Sequence, residues 1–255
     1  MKYVRYRASG SSAPVYGILD GDSVRELRGD LFSHTETGVT RKLSEVTLLR
    51  PIEPGKILCV GRNYRSHRPG QADPKRPEIF LKSISSLQDP EEPIIIPAEA
   101  TNVHYEGELV LVMGKRLRKA SKEEARAAVW GVTIGNDLSE RDWQNGPDKD
   151  MQWWRAKSSD TFCPLGPWIV TGLDYSALNL ETRVNGKPVQ QDNTANLIFD
   201  CATILSFTSQ YMTIERGDLI FTGTPNITNK LNPGDTCEVE IEGIGVLRNP
   251  VIKEA

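Results

Sequence analysis

The chain has 255 residues, 38% of them hydrophobic and 25% charged, ordinary globular usage that excludes a fibrous repeat or a disordered tract. Lysine and arginine total 31 against 34 acidic residues, a net charge of −3, so no basic face marks a nucleic-acid partner. The opening residues lack an apolar signal core, and no run approaches the ~20 apolar residues that span a bilayer, so a cytoplasmic protein with no membrane partner is expected.

Residues 1 to about 50 read as a small N-terminal domain, with strand-like Val15-Tyr16-Gly17-Ile18-Leu19 broken by the turn Asp20-Gly21-Asp22. Two prolines and a glycine in the segment 48–55 punctuate the chain and divide it into 1–50 and a larger domain, 51–255. Short β-rich runs follow at 57–60, 79–81, 94–96, 108–113, 180–184, 219–221 and 237–241. Each is bounded by Gly, Pro, Asn or Asp, which predicts an α+β, mainly β fold whose largely antiparallel sheet closes or rolls on itself. Two helices interrupt it. Ser121 with Glu124 forms a capping box ahead of the first, and helical spacing of Leu197, Ile198, Cys201, Ile204 and Leu205 places the second over about 195–211. Cys59, Cys163, Cys201 and Cys237 form no CxxC pair and read as buried thiols. Neither a Walker loop nor a GxGxxG turn is present, which disfavours nucleotide chemistry.

Chemistry is concentrated in the segment 103–113, Val-His-Tyr-Glu-Gly-Glu-Leu-Val-Leu-Val-Met. As one strand it projects His104, Glu106 and Glu108 to the same face. Carboxylates at i and i+2 stand about 6–7 Å apart and repel by roughly 2–3 kcal/mol at an effective dielectric near 20, so positive charge must meet them. It is either a lysine or arginine, or a metal that accepts hard oxygen donors. A second apolar run, 129–135, opens into Asn136-Asp137-Leu138-Ser139-Glu140-Arg141-Asp142, where Asp137 is the natural third ligand. An all-oxygen set suits Mg²⁺, Mn²⁺ or Ca²⁺ rather than zinc.

Several separated segments, in order, resemble motifs of the fumarylacetoacetate hydrolase superfamily. They are Val60-Gly61-Arg62-Asn63-Tyr64-Arg65-Ser66-His67, Phe80-Leu81-Lys82, the His-Tyr-Glu-Gly-Glu-Leu stretch, Asn136 to Gln144, Lys157 to Pro167, Val184-Asn185-Gly186 and Thr222-Gly223-Thr224-Pro225. The resemblance implies a mixed β-sandwich roll preceded by a small N-terminal domain, assembled as a homodimer and acting on a small 2-oxo acid. It also implies that Glu106, Glu108 and Asp137 hold Mg²⁺ or Mn²⁺, with Ca²⁺ as a further possibility. By the same resemblance, Lys157 is an active-site lysine, Arg141 and Gln144 contact substrate, and Thr224 binds its carboxylate. Arg62 is a further candidate for carboxylate recognition or for an ion pair with a glutamate.

A 2-oxo acid chelated by such a metal would form an enolate readily when the adjacent bond breaks. His67 is the expected base, while His34 and His104 are weaker candidates, His104 being better suited to support the metal strand. Many relatives carry a glutamate three residues after this histidine, on a lid helix. Here the stretch is His67-Arg68-Pro69-Gly70: Gly70 replaces the acid, Pro-Gly weakens any helix, and Asp73 is the one nearby substitute. The first functional expectation is a C–C hydrolase of acylpyruvate or fumarylpyruvate type. An isomerase, tautomerase or decarboxylase of oxaloacetate or of 2-hydroxyhepta-2,4-diene-1,7-dioate-like diacids is the alternative that Gly70 favours, and a non-catalytic binder of metal and 2-oxo acid is the third.

Overall fold

The apolar run at 107–113 organises the fold. In the computed structural model, which describes residues 1–255, Gly107–Met113 is a strand with every residue buried. It pairs antiparallel with Val129–Asn136 on one side and Leu219–Phe221 on the other. A strand with no solvent face needs no polar alternation, which is why it reads Leu-Val-Leu-Val-Met.

From this centre a 12-stranded sheet extends both ways. One wing adds Ile57–Gly61, parallel to Leu219–Phe221, and ends at the edge strand Glu78–Lys82. The other adds Cys163–Val170 and then Lys2–Ala8, Val15–Asp20, Ser23–Gly29 and His34–Lys42. Residues of the first fifty therefore hydrogen-bond into the same sheet as the rest, with Lys2 and Tyr3 opposite Val170 and Ile169. A second sheet runs in the order Lys187–Asn193, Asn179–Val184, Thr236–Ile241, Gly245–Lys253 and Ile94–Ile96. The observed strands match the expected β-rich runs to within a residue at each end.

The two sheets pack face to face as a mixed sandwich. Leu109, Leu111, Val132 and Ile134 from the large sheet share a core with Leu180, Val239, Ile241 and Leu247 from the small one. The other face of the central strand, Val110 and Val112, packs with Ile57, Leu165, Tyr3 and Ile18. Contact between the sheets leaves no room for a side chain at Gly107, where a Cβ would lie 2.4 Å from Thr182 Oγ1 and 2.8 Å from Val239 Cγ1. The backbone before Glu108 can thus lie flat against the second sheet.

Ser121 and Glu124 cap the helix Lys122–Ala127 reciprocally, as their spacing predicts. The second helix begins later than expected, at Cys201, and runs to Tyr211, with a short 3-10 turn at Thr194–Asn196 before it. Asn63 explains the delay. Its carbonyl and side-chain oxygens each take a backbone N–H, from Ile198 and Phe199, at 2.8 Å, so these residues are held extended until Asp200 caps the helix through Thr203 N–H at 2.7 Å. All four cysteines are free and buried. No helix is long and apolar enough to cross a membrane.

Candidate active site

The sequence predicts one strand with His104, Glu106 and Glu108 on a single face, and here the structure differs. Val103–His104 pairs with Ser139–Glu140 in a separate two-stranded ladder, and Tyr105 and Glu106 belong to neither it nor the central strand. Glu106 is held instead by its neighbours across the sheet: its N–H donates to Asn136 Oδ1 at 2.8 Å and its carbonyl accepts from Asp137 N–H at 2.8 Å. The break sends the His104 ring to Asn102 and Thr228. It also brings Asp137 beside the two glutamates.

Carboxylate oxygens of Glu106, Glu108 and Asp137 all lie within 4.8 Å of one another, and all three residues are buried. Two of the three have cationic partners. Lys157 Nζ donates to Glu106 at 2.7 Å and to Asp137 at 2.6 Å, Lys82 Nζ meets the other oxygen of Asp137 at 2.6 Å, and Arg141 Nη2 contacts Glu106 Oε1 directly. Glu108 has no cationic partner. It accepts one hydrogen bond, from Gly223 N–H at 2.7 Å, while only 2% exposed.

These surroundings push the two glutamates in opposite directions. Burial raises the Glu108 pKa, and repulsion from Asp137 and Glu106 raises it further, well above the usual carboxylate range. Burial acts on Glu106 too, but Arg141, Lys157 and His67 outweigh it and hold that carboxyl well below its ordinary value. For Lys157, burial is the largest influence and lowers its pKa, yet Asp137 and Glu106 together raise it. Glu108 is the test of whether a dication fits. A buried acid with neighbouring acids and no counter-ion is stabilised by a hard cation, and the three oxygen donors match the preference of Mg²⁺ or Mn²⁺.

Around this floor the structure collects every other expected residue. Arg62, His67, Arg141, Gln144, Lys157 and Thr224 line, with the three acids, a cavity of about 620 Å³. His67 ends the short 3-10 turn Arg65–His67. Its Nδ1 lies 2.5 Å from the Asn226 carbonyl, so Nδ1 carries the proton and donates. Nε2 is then the bare nitrogen, 3.8 Å from Glu106 Oε1. The turn stops at Pro69 and at Gly70, whose φ is +77°, and no lid helix follows. Asp73 does not back the histidine: Arg65 holds its carboxylate at 2.8 Å.

Arg62 forks onto Glu78 at the half-exposed mouth, the ion-pair alternative of its two expected roles. Arg141 Nη1 donates to Gln144 Oε1 at 2.7 Å. Arg141 opens the helix Arg141–Asn145, whose cap is the fully buried Glu140, accepting from Trp143 N–H at 2.7 Å. Thr224 departs from the expected anion-binding turn in one respect. Its hydroxyl donates to the Gly107 carbonyl at 3.0 Å and accepts from Gln190 at 2.9 Å, which ties it to the scaffold and leaves the backbone N–H as the group without a protein acceptor.

Three contributors were not among the residues the sequence motifs single out for a role. Lys82 is the single cation of the apolar stretch Ile79-Phe80-Leu81-Lys82, and that isolation is a usable signal. Thr228 and Arg68 give none. Thr228 Oγ1 joins Arg141 to His104 at 2.9 and 3.0 Å. Arg68 is a buried guanidinium on the cavity wall whose Nε and Nη1 find no partner.

Residues 56–252 match the family description "Fumarylacetoacetate (FAA) hydrolase C-terminal", and residues 1–51 match "Rv2993c-like, N-terminal". Protein Rv2993c of Mycobacterium tuberculosis is 45% identical over 97% of this chain and 97% of its own length. The mitochondrial oxaloacetate tautomerase FAHD2A of Bos taurus is 41% identical over 82% of this chain and 70% of its own. A crystal structure of 5-carboxymethyl-2-hydroxymuconate delta-isomerase from Mycobacterium smegmatis superposes with a TM-score of 0.92 at 39% identity, covering 100% of both chains.

Proposed function

Because the chain belongs to the fumarylacetoacetate hydrolase superfamily, we propose that it is a divalent-metal-dependent isomerase that interconverts enol and keto forms of a small 2-oxo acid such as oxaloacetate. The observation that carries this reading is the setting of His67. A backbone carbonyl, not a carboxylate, holds its Nδ1, and its bare Nε2 faces the three acids. Such a histidine can accept and return a proton, which is all that tautomerisation asks of a base. Hydrolysis asks in addition that a water be activated against a second carbonyl.

Glu106, Glu108 and Asp137 would hold Mg²⁺ or Mn²⁺, which supplies Lewis-acid stabilisation for the charge of the enolate. Arg141, with its fork steadied by Gln144, and the Thr224 N–H receive the oxo-acid oxygens. Lys157 adds positive charge in a dry site, where it is felt strongly. His67 Nε2 removes a proton from the carbon beside the oxo carbon, and the oxo oxygen gains one, so keto becomes enol with no net change in atoms.

A C–C hydrolase of acylpyruvates is the second reading. It is favoured by the 3.8 Å between His67 Nε2 and Glu106, an opening at which a water could be activated. The assembly expected with either is a homodimer; the exposed Leu81 on the edge strand and the exposed Trp154 are apolar surface that a second copy would cover, giving a particle of about twice the 28.4 kDa chain by light scattering.

The deciding experiment follows enol absorbance of oxaloacetate with Mg²⁺ or Mn²⁺, in parallel with pyruvate release from acetylpyruvate. Accelerated loss of the enol signal without pyruvate release is expected. Faster pyruvate release would replace the isomerase with the hydrolase, and binding without turnover of either compound would leave a metal-dependent binding protein.

A further inference from the structure

A line of hydrogen bonds runs from the cavity floor to the protein surface, and its two ends fix every donor and acceptor in it. Arg141 can only donate, so Thr228 Oγ1 accepts from Nη2 at 2.9 Å. The hydroxyl proton of Thr228 then points to His104 Nδ1 at 3.0 Å. That nitrogen must be bare, which puts the ring proton on Nε2, where it is donated to Asn102 Oδ1 at 2.8 Å. The Asn102 amide donates in turn to Asp142 Oδ1 at 3.0 Å, a carboxylate that can only accept and that Thr101 also holds, at 2.9 Å.

Arg141 is pulled two ways. The nitrogen that contacts Glu106 is the one bonded to Thr228. Once a dication occupies Glu106, Thr228 and Gln144 are what remain to keep the guanidinium from swinging. We propose that Thr228 and His104 are positioning residues that aim Arg141 at the substrate's oxo-acid oxygens, and so set how tightly substrate is held without touching it. The inference rests on the functional reading above, which makes Arg141 a substrate contact.

Oxalate, a stable mimic of a planar 2-oxo-acid enolate, is the probe, with Mn²⁺-loaded protein and calorimetry as the readout. Thr228→Val keeps the shape and removes the hydroxyl. It should weaken oxalate binding about tenfold, the loss of one hydrogen bond to a charged group, with Mn²⁺ affinity unchanged within about twofold. Thr228→Ser should restore oxalate affinity. His104→Leu should match Thr228→Val, and the double variant should lose no more than either alone, because both act through one path. Unaltered oxalate affinity in Thr228→Val, or losses that multiply in the double variant, would overturn the inference while leaving the function intact. A wild type that bound Mn²⁺ but not oxalate would remove both. Independently of any variant's folding, ¹⁵N shifts of the wild-type ring should report the Nε2–H tautomer; an Nδ1–H tautomer would rule the relay out.

Discussion

The floor and the mouth of the cavity are built on opposite terms. At the floor, Glu106, Glu108, Asp137, Lys157 and Lys82 are each less than 5% exposed. The acids stand on or beside the central strand and its antiparallel partner, where register leaves them nowhere else to go. At the mouth, His67 sits on a three-residue turn ended by Pro69 and Gly70, Ile227 is 63% exposed, and Arg62 and Glu78 pair half in solvent. A dry floor of fixed charge provides a general device for stabilising enolates. Which proton moves, and whether water joins the reaction, is decided at the mouth.

The sharpest break of this contrast is Asp137→Ala. It removes the acceptor shared by two buried ammonium groups, so Mn²⁺ binding should vanish, turnover should fall by more than about 10³-fold, and stability should drop by about 3–5 kcal/mol. Stoichiometric Mn²⁺ uptake by this variant in calorimetry would show that the floor is not a metal centre. His67→Asn tests the mouth alone. Turnover should fall by about 10²–10⁴-fold while Mn²⁺ and oxalate bind as before; loss of metal binding would mean that mouth and floor are not separable.

Protonation separates the regions more gently. Glu108 has its pKa raised by burial and by its acidic neighbours, so the metal-free protein holds a proton there that cation binding must expel. Mn²⁺ affinity should therefore rise with pH, and titrations in buffers of different ionisation enthalpy should register proton release. Uptake without release contradicts the assignment. At His104, burial and then Arg141 bring the pKa down to about 4 from an ordinary 6.5. The unfolded chain thus binds the extra proton between those values, and stability, complete above about 6.5, declines as pH falls toward 4. The melting temperature of His104→Gln should decline less than that of wild type across this window. The smallest effect belongs to Asp73→Asn. Its carboxylate is exposed and paired only with Arg65, so neither the melting temperature nor turnover should change measurably; a clear loss of turnover would return Asp73 to the site.

Legibility in the amino-acid sequence divides along the same line. Glu106 and Glu108 stand out because a two-residue spacing beside a buried apolar run forces carboxylates into one place, and Asp137 because a second apolar run ends in acids. The break at Tyr105 leaves no such mark, since it comes from Asn136 capturing the Glu106 N–H, a contact thirty residues away. Helix onset at Cys201 is hidden for the same reason: hydrophobic spacing continues through Leu197 and Ile198, but Asn63 binds their stretch of backbone. Thr228 sits in a loop with no periodicity, and nothing local distinguishes it from Thr224 or Thr222. The direction of the Thr224 hydroxyl likewise depends on Gln190 from the second sheet. Spacing within a strand carries charge information; partnership across strands does not appear in it.

The central strand Gly107–Met113, flanked on both edges and covered on both faces, has a consequence for how such an enzyme can change. Its amide protons can exchange with solvent only when the whole domain opens, so the acids it carries ride on the least yielding part of the molecule. The loops at 65–73 and 225–230 bear no such burden. Substitutions accumulating there can retune which acid is accepted while the fold hardly registers them, and a lineage can thereby move between chemistries without passing through an unstable ancestor.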